Sequence, residues 1–145
     1  MFTSILAAFD GSEGAVAALQ KAAELAKLSG AELTILTLYR HHSVLEGSMY
    51  VTDVEQPDNI DEIMRERSKE IAENGASIAR EAGCEHIRAF VKSGPVARTI
   101  IGFAQEHKND LIVMGSRGLG SIEGYLLGSV SHKVTSLAQC PVLVV

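Results

Sequence analysis

The feature that most constrains this chain is its rhythm. Short apolar runs alternate with helix-length amphipathic segments along the whole sequence. "SILAAF" predicts a first strand, and "SEGAVAALQKAAELAKLSG" a helix capped by Ser12 and stopped by Gly30. "ELTILTLY" predicts the second strand, "HIRAFVK" the third, "DLIVM" the fourth and "PVLVV" the last. A helix over "SGPVARTIIGFAQEH" is entered through Gly94 and Pro95, and another runs from about Ser129 to Ala138. Strands that alternate with helices need crossover connections, which implies a mostly parallel sheet with helices on both faces. The unbroken apolar character of "DLIVM" agrees, because such strands are buried on both sides. The expectation is α/β: one doubly wound domain over residues 1–145.

Two segments carry further detail. "DNIDEIMRERSKEIAENGASIAREAG" predicts a long helix with Asp58 as N-cap and an apolar stripe of Ile60, Ile63, Met64, Ile71, Ile78 and Ala82. Gly75 inside it weakens the helix by about 1 kcal/mol relative to Ala. Residues 40–57, "RHHSVLEGSMYVTDVEQP", lack periodicity, and long irregular segments in compact domains are functional or mobile. His41 and His42 are adjacent there, so they point apart on most backbones.

The formal net charge of −5 with no basic run speaks against nucleic acid and anionic membrane surfaces as partners. No apolar run reaches the roughly 18 residues of a membrane span, and the N-terminus lacks the basic start of a signal peptide. Cys84 and Cys140 form no C-x-x-C pair and read as small core thiols. A cytoplasmic location is the expectation.

In open α/β sheets ligands sit beyond the carboxyl ends of the strands, where strand order reverses. Two strands here end in unusual chemistry, "FDGSE" and "MGSRG". If they are neighbours, Asp10 and Gly115 line one crevice. In "MGSRGLGSIEGYLLGSVSHKV", Gly115 and Gly118 let the backbone approach a ligand, and Gly128 precedes a helix start. Ser129, Val130 and Ser131 there offer unpaired amides, an anion site. Ser129 and Ser131 add hydroxyl donors, Arg117 a cation, and Lys133 another if it faces inward. Four hydrogen bonds to a charged group sum to roughly 6–12 kcal/mol before ordering costs, against about 8 for micromolar binding. Asp10 either accepts from a sugar hydroxyl or base amino group, or caps the first helix with Ser12. The competing reading of the glycine cluster is a mobile surface loop.

Other motifs fail. There is no G-x-x-x-x-G-K-[ST], no G-x-S-x-G, and the dinucleotide fingerprint at Gly118 and Gly120 meets Glu123 at its third position. His132 falls in the first turn of the last helix. No general base stands near the loop except Asp10, so catalysis is the weaker claim.

These residues resemble the universal stress protein family. "GSRGLGSIEGYLLGS" fits that family's G-x2-G-x9-G-[ST] pattern at Gly115, Gly118, Gly128 and Ser129, and "DGSE" and "CPVLVV" fit it as well. The resemblance implies a five-stranded parallel sheet in order 3-2-1-4-5. It is similar to the ATP-binding branch, which implies ATP, ADP or AMP as ligand, accompanied by Mg²⁺ or Mn²⁺. Carried over by position, Asp10 binds ribose, Ala8 lies near the base and Leu38 contacts adenine through its backbone. Met114, Gly115, Arg117, Gly118, Gly128, Ser129, Val130 and Ser131 surround the phosphates and ribose. Ala8 stands where many relatives carry Pro or Val, and Gly120 and Gly124 are extra glycines. "RHHSVLEGS" looks like a subset found beside TRAP-type solute transporters, which implies such a transporter as partner. Family members are commonly homodimers through the last strand, some of higher order. Here the apolar "VLVV" invites edge pairing.

The leading expectation is an ATP-binding regulatory or stress-response protein with little or no turnover. The rivals are a slow ATP hydrolase or phosphotransferase using Asp10 and Arg117, and an interaction scaffold independent of nucleotide.

Overall fold

The computed structural model describes residues 1–40, 57–117 and 127–145. Its strands are β1 (Ser4–Ala8), β2 (Glu32–Tyr39), β3 (Ile87–Ser93), β4 (Leu111–Met114) and β5 (Val142–Val144). The helices are α1 (Glu13–Ser29), α2 (Pro57–Glu81), α3 (Val96–Glu106) and α4 (Ser129–Leu137). All four strand pairings are parallel, and the order is β3-β2-β1-β4-β5. The expected alternation, the sheet and its order are therefore those observed.

Alternate residues of each strand feed two cores, as the pleat requires. Ile5, Ala7, Leu33, Ile35, Leu111 and Val113 pack against α1 and α2. Leu6, Leu36, Ile112 and Met114 pack against α3 and α4. The buried face of α1 is mostly alanine, with Ala15, Ala18, Ala22, Ala23 and Ala26 around Leu19, so this helix lies close on the sheet. Ser12 caps it by accepting the Ala15 N–H at 3.2 Å, and Gly30 ends it in the left-handed conformation.

The long helix differs in detail from its sequence pattern. It begins at Pro57, which puts Asp58 inside the helix, one place beyond its first residue. Proline suits that place because the first helical N–H has no acceptor in any case. Ile60 and Ile63 are 42% and 66% exposed, whereas Ala72, Ala76 and Ala79 are buried. The stripe therefore holds only in the second half of α2, where the sheet lies beneath it. Gly75 is there for space. A Cβ on it would stand 2.9 Å from Phe9 Cδ2 and 3.4 Å from Ile35 Cγ2. Of the irregular segment, Arg40 and Pro57 are described, while residues 41–56 with His41 and His42 lie outside the described residues.

Asp110 ties the start of β1 to the turn before β4. Its carboxylate accepts from the Thr3 N–H, the Ser4 N–H and the Thr3 hydroxyl at 2.9–3.0 Å. Burial works against its charge, but those donors outweigh burial and hold its carboxyl below the ordinary value. Both cysteines are free thiols, and burial pushes each of them up, with the Asp110 charge adding to the effect at Cys140.

Two outcomes follow for stability. Gly75→Val lowers it by about 1–3 kcal/mol in thermal or urea unfolding, because overpacking against Phe9 exceeds the gain in helix propensity. Asp110 has a depressed folded pKa, so its contribution is complete above the ordinary carboxylate range and is lost as pH falls through the folded value. Asp110→Asn is therefore less stable than the parent at pH 7, and urea midpoints of the two converge on acidification.

Candidate functional site

The sheet order reverses between β1 and β4, and the described residues line an open cleft of about 760 Å³ just beyond the carboxyl ends of these strands. Cavities of this size accommodate cofactor-sized ligands. Ala8 and Asp10 enter it from the end of β1, and Leu36, Leu38 and Arg40 from β2. Met114, Gly115, Ser116 and Arg117 enter from β4, and Gly128, Ser129, Val130, Ser131 and His132 from the start of α4. Apart from Lys133, every site residue named from the sequence and described here lines this one cavity. Gly118, Gly120 and Gly124 lie outside the described residues.

The walls are held by backbone hydrogen bonds. Beneath Asp10, the Thr37 hydroxyl donates to the Phe9 carbonyl at 2.9 Å, and the Phe9 N–H donates to the Leu36 carbonyl. Asp10 Oδ1 accepts the Ser12 N–H at 2.9 Å. Asp10 thus orders the turn into α1 and lines the cavity as well, so its two sequence readings do not exclude each other.

Across the crevice, α4 begins at a glycine cap with no side-chain hydrogen bond. The first intrahelical bond runs from the His132 N–H to the Gly128 carbonyl at 3.0 Å. The N–H groups of Ser129, Val130 and Ser131 therefore have no intrahelical acceptor, which gives this end of the cavity an anion-attracting character. Arg40, Arg117 and His132 are among the described residues that line the cavity, and Asp10 is the carboxylate among them. The pattern suits an anion at the α4 end, despite the chain's net charge.

Two sequence readings need correction, and the glycine at 115 gains a second cause. Lys133 is exposed and is not among the lining residues. Ser131 does not offer its hydroxyl to the cavity, because Oγ donates to the Ser116 carbonyl at 2.7 Å and lies 3.2 Å from the Gly128 carbonyl. Gly115 is required by another helix: a Cβ there would sit 3.0 Å from the backbone C and O of Gly14, and one on Gly14 would sit 3.0 Å from the Arg117 carbonyl. The first turn of α1 and the segment after β4 are thus packed backbone to backbone.

Sequence reasoning did not assign Phe9, Ser12, Ala15, Leu36, Arg40, Val96, Ser116 and Leu127 to the cavity. Arg40 follows a strand's carboxyl end and was reachable by the same rule that found Asp10. Val96, on the first turn of α3, carries no local signal. Among the described residues no group of three or more His, Cys, Asp or Glu is placed to hold a metal ion. No described helix is long and apolar enough to cross a membrane.

An open parallel sheet with a cavity at its switch point, bordered by a helix N-terminus, is the arrangement in which α/β proteins hold small ligands. The sequence model of the universal stress protein family matches residues 1–145. The chain belongs to the universal stress protein family. It is 42% identical to universal stress protein YxiE of Bacillus subtilis, over 100% of this chain and 99% of that protein. Among solved structures it is similar to the universal stress protein UspA from Lactobacillus plantarum, with TM-score 0.84 and 24% identity over 99% and 97% of the two chains, a likeness of fold. It is also similar to a universal stress protein in complex with cAMP, with TM-score 0.72 and 27% identity over 99% and 96%.

The packing at Gly115 has a checkable consequence. Gly115→Ala lowers the unfolding free energy of the ligand-free protein by about 1–3 kcal/mol, because the obstruction is the α1 backbone. A glycine needed only for ligand approach would leave ligand-free urea unfolding unchanged.

Proposed function

We propose that this universal stress protein is a regulatory module that binds an adenine nucleotide, ATP or else ADP or AMP, in the switch-point cavity. The observation that carries this reading is the first turn of α4, where backbone amides without intrahelical acceptors line a cavity of nucleotide size. The cAMP complex of a relative supports adenine nucleotides as the ligand class.

In this reading the base lies toward Ala8 and the Leu38 backbone, and a ribose hydroxyl donates to Asp10. The phosphates meet the amides of Ser129, Val130 and Ser131, with Met114, Gly115, Gly118 and Gly128 as the surrounding backbone. Arg117 supplies the cation. Mg²⁺ or Mn²⁺ would be held by the phosphate oxygens, since the described residues provide no cluster of protein ligands for it. The nucleotide state is then reported by ordering around the site or by a change of assembly, with little or no hydrolysis. Pairing of two chains along the β5 edge, where Val142, Leu143 and Val144 are only half-buried, fits such a role. A cytoplasmic setting and a solute transporter as the regulated partner complete the proposal.

Denaturing the purified protein releases adenine nucleotide identifiable by mass spectrometry, and titration gives micromolar to millimolar affinity for ATP. Absence of both at millimolar nucleotide overturns the reading. Arg117→Ala weakens ATP by roughly tenfold or more and AMP by less, because a charged hydrogen bond to the outer phosphates is lost.

A further inference from the structure

The Ser116 carbonyl accepts two short hydrogen bonds, from the Gly128 N–H at 2.6 Å and from the Ser131 hydroxyl at 2.7 Å. Both lone pairs of that oxygen are in use. Ser131 is 2% exposed, and its single hydroxyl proton is directed between the Ser116 and Gly128 carbonyls. Ser116 is in turn anchored from the other side. Its N–H donates to the Val145 carbonyl, and the Val145 N–H donates to the Met114 carbonyl, both at 2.9 Å. A fixed residue after β4 is therefore tied to the start of α4.

We propose that Ser131 is a positioning residue for the nucleotide site, a role that rests on the adenine-nucleotide reading above. Its hydroxyl clasps Ser116 to the first turn of α4 and presets the spacing between Arg117 and the helix amides. It gives no hydrogen bond to the ligand. Opening the clasp separates the two walls that the phosphates bridge. Apparent affinity then falls by the fraction of molecules that remain closed, and that fraction is the same for every ligand using both walls. A direct hydroxyl–phosphate contact would behave differently, because its loss would depend on which phosphates the ligand carries.

The test compares the parent protein with Ser131→Ala, Ser131→Thr and Ser131→Cys. Amide hydrogen exchange is measured without ligand, and AMP, ADP and ATP are titrated calorimetrically. In Ser131→Ala the Gly128 amide exchanges roughly tenfold faster while amides of β1 are unchanged, and all three nucleotides weaken by one common factor of about five to tenfold. Ser131→Thr, which keeps the hydroxyl, restores both, and the weak thiol donor of Ser131→Cys falls between. Unchanged exchange at Gly128, faster exchange throughout β1 and β4, or a loss confined to ADP and ATP each overturns the proposal. A parent protein that binds none of the three nucleotides overturns the functional reading, while exchange at Gly128 still decides whether the clasp exists.

Discussion

The site depends on one constraint, the handedness of parallel crossovers. A strand–helix–strand connection within one sheet is right-handed, so reversing the direction of winding moves the helices to the opposite face. The chain winds outward from β1 through β2 to β3, then crosses back to β4 and β5. Accordingly α1 and α2 cover one face and α3 and α4 the other. Where β1 meets β4 the outgoing segments part to opposite faces, and the crevice between them is the cavity.

The parting is kept narrow on one side and braced on the other. Gly14 and Gly115 bring the α1 turn and the segment after β4 to backbone contact, which a side chain at either position would crowd. The Ser116 carbonyl, bonded to Gly128 and Ser131, draws the start of α4 to the same segment. The start of α4 is thus tied to the segment after β4, and through the Ser116 and Val145 pairing to the residue that follows β5. The cavity and the outer edge of the sheet are joined by a short run of hydrogen bonds.

Much of this was legible before any coordinates. Strand and helix order follows from periodicity, because a sheet buried on both faces demands apolar runs and its crossover helices demand amphipathic ones. The cavity residues Asp10, Gly115, Arg117 and Gly128 were reachable because ligands gather at carboxyl ends of strands, and glycine clusters mark close backbone approach. What each residue does there was less legible. Gly75 reads locally as a defect in a helix, yet Phe9, distant in sequence, occupies the space its side chain would need. Ser131 reads as a donor at a helix start, yet its proton goes to a carbonyl 15 residues earlier in the chain. Ile60 and Ile63 keep helical spacing but are exposed, since periodicity shows which residues share a face and not whether anything lies beneath it.

By itself the sequence determined the α/β class, the alternation of elements, the two ends of the cavity and the family resemblance that the full-length match bears out. Those properties are local or statistical, carried by residue spacing along the chain. Only the tertiary structure decided which atoms are spent within the protein and which face the cavity: the Ser131 hydroxyl, the Asp10 carboxylate, the side of Lys133 and the contact of Gly115 with Gly14. A hydrogen-bonding group has a fixed capacity, and its allocation depends on partners brought near by the fold, which spacing along the chain does not encode.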